Sequence, residues 1–305
     1  MRIYNLDLNL LIALNALLEE QSVTNAARRV HLSQPAISNA LRRLREHFSD
    51  PLLVRAGREM MLTPLAARLR EPIRDALLEL EGLLFDAQDF DPAQLTRTIR
   101  VSASDYMTTL VLARLLRRLD REAPGVTVSV LAPSRLGLRS FQTGDVDLLT
   151  LPIRLARAKH PREELLRDTW ALAVWSENPL VEDSLSSAQL KRLRHAIPGF
   201  YSAEPTYFPY RLLREAGAAE HVGIVMPSFT QLLESIPGTR QVATVPRRLA
   251  TAFARRLPLK VLESPIDLPP LIEVVQWHRQ RDHDPVLRWL RGLLMEVAHE
   301  ASTEE

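Results

Sequence analysis

A chain of 305 residues that is 46% apolar and 25% charged has the composition of an ordinary globular protein and room for two or three domains. That balance excludes disordered and fibrous architectures, and the absence of Cys excludes a disulfide framework and thiolate chemistry. The net charge of +2 is unevenly spread: residues 1–70 hold ten Arg against six Asp and Glu, and seven of those Arg fall between Arg28 and Arg58, opposed there by Glu46 and Asp50 alone. Such a cluster is the footprint of a phosphate-binding surface or, equally, of a solvated helix face.

The first apolar run, Leu8 to Leu18, is interrupted by Asn9 and Asn15 and is followed by no small-residue cleavage site, so it does not read as a secretory segment. Leu10, Leu14 and Leu17 recur at helical spacing and predict a first helix. No later stretch approaches the roughly 20 apolar residues of a membrane span, so no membrane partner is expected and the cytoplasm is the expected compartment.

Residues 22 to 48, SVTNAARRVHLSQPAISNALRRLREHF, read as two short helices. Ser22 or Thr24 can cap one that ends near Arg29, His31 and Leu32 break it, and Ser33 with Pro35 two residues on resembles an N-cap followed by a first helical turn. On the second helix Ile37, Leu41, Leu44 and Phe48 share one narrow arc, while Pro35, Ser38, Asn39 and Arg42 face away from it. A helix with one packing side and one short, polar, cationic side fits the major groove, where Ser, Asn and Gln read base edges and Arg reaches guanine or phosphate. The pair is therefore read as a helix-turn-helix. The candidate DNA contacts on it are Ser33, Gln34, Pro35, Ser38, Asn39 and Arg42.

Residues 50 to 66, DPLLVRAGREMMLTPLA, place two short apolar runs around Arg55-Ala56-Gly57-Arg58 and predict a hairpin wing. Arg55 and Arg58 at its tip are candidate contacts to the DNA backbone or minor groove.

Ala26-Ala27, Leu32 to Ser38, Leu41 to Leu44, Pro51-Leu52, Val54-Arg55, Gly57-Arg58 and Leu62-Thr63-Pro64 together resemble the N-terminal signature of LysR-type transcriptional regulators, dense and ordered over about 60 residues. Ser104-Asp105-Tyr106, Trp277-His278, Asp284-Pro285 and Trp289 to Arg291 are similar to the branch of nodulation and aromatic-degradation regulators. The resemblance implies an all-α winged helix-turn-helix over 1–64 and a linker and dimerisation helix over 65–92. It further implies an α/β, two-subdomain, periplasmic-binding-protein-like effector domain over 93–305, with subdomain I at 93–164 and 267–305 and subdomain II at 165–266. It also implies double-stranded DNA as a partner, a homo-oligomer (dimer or tetramer), a small-molecule effector in a cleft, and RNA polymerase as a candidate partner.

The residues after the wing carry an independent reading. Ala66, Leu69, Ile73, Ala76, Leu80 and Leu83 alternate spacings of three and four, the pattern of a coiled-coil seam, although Pro72 should kink such a helix. Packing on its own domain is the alternative. Asp86 to Thr96 reads as a linker. From there the pattern alternates: strand Thr98 to Ala103, helix Met107 to Glu122, strand Val126 to Leu131, a helix ending over Phe141 to Gly144, and strand Val146 to Leu151. Glu164 to Val174 is read as crossing into a second subdomain, Ile224 to Met226 and Gln241 to Val245 as later strands, and Leu271 to Gln276 as the return.

Two crossings make a cleft beyond the carboxyl ends of strands. The candidate effector residues are Ser102, Ser104, Pro133, Ser134, Pro152, Tyr201, Ser202 and Phe229, and the expected ligand is small and aromatic or carboxylated. Where relatives often show a small strand end, Asp147-Leu148-Leu149 is followed here by Thr150-Leu151-Pro152, a bulkier wall. Gly199 to Pro209 is unusually aromatic and either stacks on an effector or packs as a loop.

The chain has no GxSxG, P-loop, GxGxxG or HExxH pattern. His278, Asp282, His283 and Asp284 have poor spacing for a metal site, so neither an enzyme nor a bound metal or cofactor is expected. A solute receptor would not account for the first 64 residues. The reading is a sequence-specific DNA-binding regulator answering to a small effector; the alternative is a regulator with no effector, whose C-terminal domain serves only oligomerisation.

Overall fold

The computed structural model describes residues 7–57, 59–86, 90–199 and 208–303. They divide into two units, residues 1–89 with 283–285 and residues 90–282 with 286–305.

In the first unit every turn is set by a local cap. Asp7 caps α1 (Leu8–Glu20) through the Asn9 amide, and Gln21 ends it in the left-handed region at φ 49°. Ser22 caps α2 (Val23–Arg29), His31 turns the chain at φ 54°, and Ser33 caps α3 (Gln34–Phe48) through the Ala36 amide at 3.3 Å. Leu10, Leu14 and Leu17 of α1 meet Ile37, Leu41 and Leu44 of α3 in one apolar cluster that also takes Ala26, Ala27, Leu52 and Leu53. That cluster is why two short amphipathic helices hold their angle: neither could bury its apolar side alone.

The wing is an antiparallel pair, β1 (Leu53–Ala56) with β2 (Glu59–Leu62), registered Leu53 to Leu62 and Ala56 to Glu59. Gly57 supplies the left-handed φ of 65° that its tight turn requires. Arg58 lies outside the described residues. Two side chains tie the wing down. Arg45 of α3 donates from Nε to the Pro51 carbonyl at 2.8 Å and from Nη2 to the Leu53 carbonyl at 3.1 Å. Asp50 accepts from the Leu52 amide at 2.6 Å and from the Thr63 hydroxyl at 2.7 Å, and Thr63 in turn caps the next helix through the Ala66 amide.

That helix, α4 (Pro64–Asp86), runs on through Pro72, which sits on an exposed face. Its first half packs on its own unit: Ala66 is in the apolar cluster and Leu69 and Ile73 lie against it. The enclosed Glu19 of α1 pairs with Arg70 at 2.6 Å and with Arg74 at 3.8 Å. From Ala76 on, the proposed seam is exposed, with Leu80 and Leu83 both open. The six seam positions therefore split into a packed half and an open half.

The second unit holds two five-stranded mixed sheets. The first runs β4 (Val126–Leu131), β3 (Arg97–Ser102), β5 (Leu148–Pro152), β12 (Leu271–Trp277), β6 (Arg162–Asp168), with β12 antiparallel to both neighbours. The second runs β11 (Leu259–Leu262), β7 (Trp170–Trp175), β10 (Gln241–Pro246), β8 (Arg194–Pro198), β9 (His221–Met226). The segment read as the crossing, Glu164 to Val174, holds parts of two strands with Thr169 between them: β6 is an edge of the first sheet and β7 lies inside the second. The chain thus changes sheets at Thr169 and returns between Leu262 and Leu271. One apolar cluster runs through both sheets, from Ile99 and Val101 to Ala243 and Val245.

Leu52 buries its side chain in the first core while its backbone stands at a φ of 57°, a conformation that costs a branched residue about 1–2 kcal/mol. The Asp50 carboxylate holds it there. Asp50→Ala is expected to destabilise the first unit by about 1–3 kcal/mol in urea unfolding, and Asp50→Asn by less, since one amide oxygen can still accept from the Leu52 amide.

Candidate functional site

Two surfaces carry the polar groups singled out in the sequence, one in each unit. On α3 the buried row Ile37, Leu41, Leu44 fixes the opposite side outward, and Ser33, Gln34, Pro35, Ser38, Asn39 and Arg42 are all exposed. The groups are not free of one another. Arg42 donates from Nη2 to the Asn39 side-chain oxygen at 2.8 Å and from Nη1 to Glu46 at 2.7 Å. Asn39 therefore presents its amide with the oxygen already engaged. Arg55 on β1 is exposed. Arg45, by contrast, is spent on the wing's carbonyls, and Arg29 pairs with Glu20 at 3.0 Å, so two of the seven clustered Arg are structural.

The second surface is a cavity of about 330 Å³ between the two sheets of the second unit. Ser104, Pro133, Leu138 and Thr150 to Pro152 line it from the first sheet's side, and Pro198, Gly199, Phe208, Pro209 and Phe229 from the second. Trp170, Leu271 and Glu273, from the segments where the chain crosses, complete it together with Arg154 and Arg157. Of the residues put forward from sequence, Ser104, Pro133, Pro152 and Phe229 are on this lining. Ser102 and Ser134 are not. Ser102 is 1% exposed on β3, with its hydroxyl packed toward Gly137, and Ser134 caps the helix Arg135–Gln142 through the Gly137 amide at 2.9 Å. Tyr201 and Ser202 lie outside the described residues. In the segment read as a bulkier wall, Asp147 to Leu149 are buried in the sheet and Thr150 to Pro152 form the lining.

Ser104 has a dual position: it borders the cavity and caps the helix that begins at Asp105 through the Met107 amide at 3.2 Å. Asp105 reaches across to accept from the Thr230 amide at 2.6 Å, and Tyr106 meets Phe229 edge to face at 6.4 Å. The two sides of the cavity are thus joined behind the lining by a charged hydrogen bond and a ring contact. At the crossing, the Asp168 carboxylate accepts from the Tyr106 hydroxyl at 2.9 Å and from the Thr169 and Arg248 amides at 2.7 and 3.2 Å. Burial raises the Asp168 carboxyl above its ordinary range and these three donors oppose the rise; burial and the neighbouring Asp168 push the Tyr106 phenol well up.

Sequence reading missed Glu273, Trp170, Arg154 and Arg157. The first two lie on strands that are mostly apolar, and nothing local marks the residue of such a strand that borders a cavity. Arg154 stacks on the Phe208 ring from the other sheet's side, a pair 54 residues apart in the chain that only the fold brings together. His278 is buried against His160 with ring centroids 4.6 Å apart. Among the described residues no group of three or more His, Cys, Asp or Glu could hold a metal ion.

Residues 8–67 match the model of the bacterial regulatory helix-turn-helix proteins of the lysR family, and residues 92–299 match that of the LysR substrate binding domain. The chain belongs to the LysR family. Its relatives include nodulation protein D 1 of Rhizobium tropici, 36% identical over 298 residues that cover 98% of this chain and 97% of that protein. Nodulation protein D 2 of Sinorhizobium fredii is 37% identical over 298 residues, 98% of this chain and 96% of that one. These are relatives of the narrower branch that the Ser104-Asp105-Tyr106 and Trp277-His278 segments resemble. A full-length OxyR variant of Pseudomonas aeruginosa shares the fold with a TM-score of 0.72 at 18% identity, covering 99% of both chains. As a LysR-family regulator the chain joins a DNA-binding helix-turn-helix unit to an effector-binding unit of two subdomains.

Burial pushes the Glu273 carboxyl up to about 8. Between its unfolded value near 4.5 and about 8 the folded chain binds the extra proton, so stability falls as pH rises through that window. The expected loss is on the order of 4 kcal/mol. Urea unfolding between pH 5 and pH 8.5 should show this slope in the parent and not in Glu273→Gln; equal slopes would remove the shift from the account.

Proposed function

We propose that this LysR-family regulator reads its operator with the outer face of α3 and that a small molecule in the second unit's cavity changes its hold on DNA. The observation that carries the reading is the arrangement of α3: Gln34, Ser38, Asn39 and Arg42 stand exposed opposite the row Ile37, Leu41, Leu44 that anchors the helix. Side chains at that spacing meet successive base edges in a major groove, and the capped N-terminus of α3 attracts a phosphate. When Asn39 pairs with an adenine, the base amine replaces the Arg42 donor on its oxygen. The freed guanidinium then takes guanine or a phosphate, so the two residues exchange one mutual bond for two bonds to DNA. Arg55 on the wing, with Arg58, contributes backbone or minor-groove contacts.

One recognition helix covers too few base pairs to select a genomic site, so the functional species is an oligomer with paired half-sites. The open half of α4, with Ala76, Leu80 and Leu83, is the face available for pairing two copies. The cavity is lined mostly by apolar and aromatic groups and takes a small aromatic molecule, with Phe229 and Phe208 as ring contacts and Ser104 as a polar one. Such a ligand acts as a switch only by binding one arrangement of the oligomer better than another. Regulation by binding needs no catalysis, and the protein acts in the cytoplasm with RNA polymerase.

Mobility shifts on DNA selected by the protein from a random pool, and on the same DNA scrambled, test the division of labour. Ser38→Ala or Asn39→Ala should cost about 1–3 kcal/mol on the selected site alone, whereas Arg55→Ala should weaken both DNAs and lower the salt slope by about one. Parental affinity of all three variants for both DNAs would end the reading. In the same assay fractions of a cell extract should alter the footprint of the parent; if none does and none raises its thermal unfolding, the effector half of the reading fails.

A further inference from the structure

Glu273 is out of keeping with its surroundings. It sits on β12 opposite Pro152 of β5 and Leu166 of β6, where the register shifts between Glu273 and Val274. Its side chain borders the cavity, the residue is 4% exposed, and its Oε2 is enclosed without a partner among the described residues. A carboxyl in that position costs free energy unless something supplies it with a hydrogen bond.

The charged and titratable groups around it are committed elsewhere. Tyr106 and Asp168 bond to each other; the Arg248 guanidinium donates to the carbonyls of Ala301 and Ser302; Arg154 stacks on Phe208. Arg157 lines the same cavity with its guanidinium against the Gln142 side-chain amide. These groups leave Oε2 without a competing partner, so a ligand in the cavity engages it when the Glu273 side chain turns toward the lining.

We propose that Glu273 is the recognition group of the cavity, taking the hydrogen-bond-donating head of a small aromatic molecule, an ammonium or a neutral hydroxyl, and rejecting a carboxylate at that point. The proposal rests on the cavity being the effector site and adds which head group the effector presents there. It narrows the sequence expectation of an aromatic or carboxylated ligand, because a ligand carboxylate against Glu273 either meets a like charge or, while Glu273 keeps its proton, must bury its own charge in a mostly apolar lining. A neutral hydroxyl is held by the protonated acid, which both donates and accepts. An ammonium is held by the carboxylate, so its binding releases the proton that burial retains near neutral pH.

The test uses three probes of one ring and one length: 2-phenylethylamine, 2-phenylethanol and phenylacetate, titrated calorimetrically into the full chain. The amine or the alcohol should bind at least 10-fold tighter than phenylacetate, and Glu273→Leu should abolish that preference. Glu273→Leu removes an unpaired buried polar group, so it is expected to fold at least as well as the parent. Binding that strengthens as pH rises from 6 to 8 with proton release identifies the ammonium, and binding that weakens above pH 8 identifies the hydroxyl. Preference for phenylacetate, indifference to the head group, binding of none of the three, or a preference that survives in Glu273→Leu overturns the proposal. Extract fractions that shift the footprint of the parent and of Glu273→Leu alike would leave the cavity as the effector site and remove Glu273 from it. Fractions that shift neither would remove the effector reading itself.

Discussion

At its first crossing the chain passes from one sheet to the other beside a buried carboxylate. Asp168 ends β6, and the next residue begins the crossing; its two oxygens take the Tyr106 hydroxyl from the helix after β3, the Thr169 amide at the crossing itself, and the Arg248 amide from the helix after β10. Three donors from three elements converge on a buried acceptor, and the buried Tyr106 hydroxyl would lose its acceptor without it. The neighbouring Asp105, by accepting from the Thr230 amide, adds a second bond of the same kind between the two halves. The cavity exists because these bonds hold its two sides at a fixed separation while apolar residues line the gap.

The same arrangement explains why the cavity can answer to a ligand. The lining residues Ser104 and Phe229 are one or two positions from Asp105, Tyr106 and Thr230, which make the bonds between the halves. A molecule against Ser104 and Phe229 presses on the starts of the two helices that those bonds tie together. The first unit is built on a different principle: local caps and an Arg45 and Asp50 harness anchor the backbone of α3 and turn Ser38, Asn39 and Arg42 outward. On the proposed reading, an anchored helix and a cavity bordered by the bonds between two sheets suit a regulator whose effector changes where the helices are held and not what they read.

Much of the first unit was legible because its signals are local. Ser22 and Ser33 announce helix starts, the row Ile37, Leu41, Leu44 gives a period of 3.6, and Gly57 marks the wing's turn. The Arg cluster was less transparent: the chain does not say that Arg45 serves the wing and Arg29 serves Glu20, since their partners are set by the turns between. In the second unit alternation of strands and helices pointed to the class and put the crossing within Glu164 to Val174, but not at Thr169 in particular, because strand-forming residues continue on both sides of the change of sheet. The cavity residues were half legible. Ser104 and Phe229 follow strands and border helix starts, the places where open α/β sheets bind ligands. Glu273 is central to a strand, where only its bulged register and unpartnered oxygen give it away. Ser102 shows the converse: strand-end position suggested the cavity, and the alternation of the strand turned its side chain into the sheet's own packing.

The claim that Asp168 fixes the two halves of the effector unit is tested most directly by amide hydrogen exchange on Asp168→Asn. Whichever way the Asn side chain is turned, one of the Thr169 and Arg248 amides faces an NH₂ group in place of an oxygen. At least one of the peptides holding Thr169 and Arg248 should exchange at least 10-fold faster than in the parent, while β3 and β10 keep their protection. Unchanged exchange at both amides, or uniform loss of protection across both sheets, would contradict it.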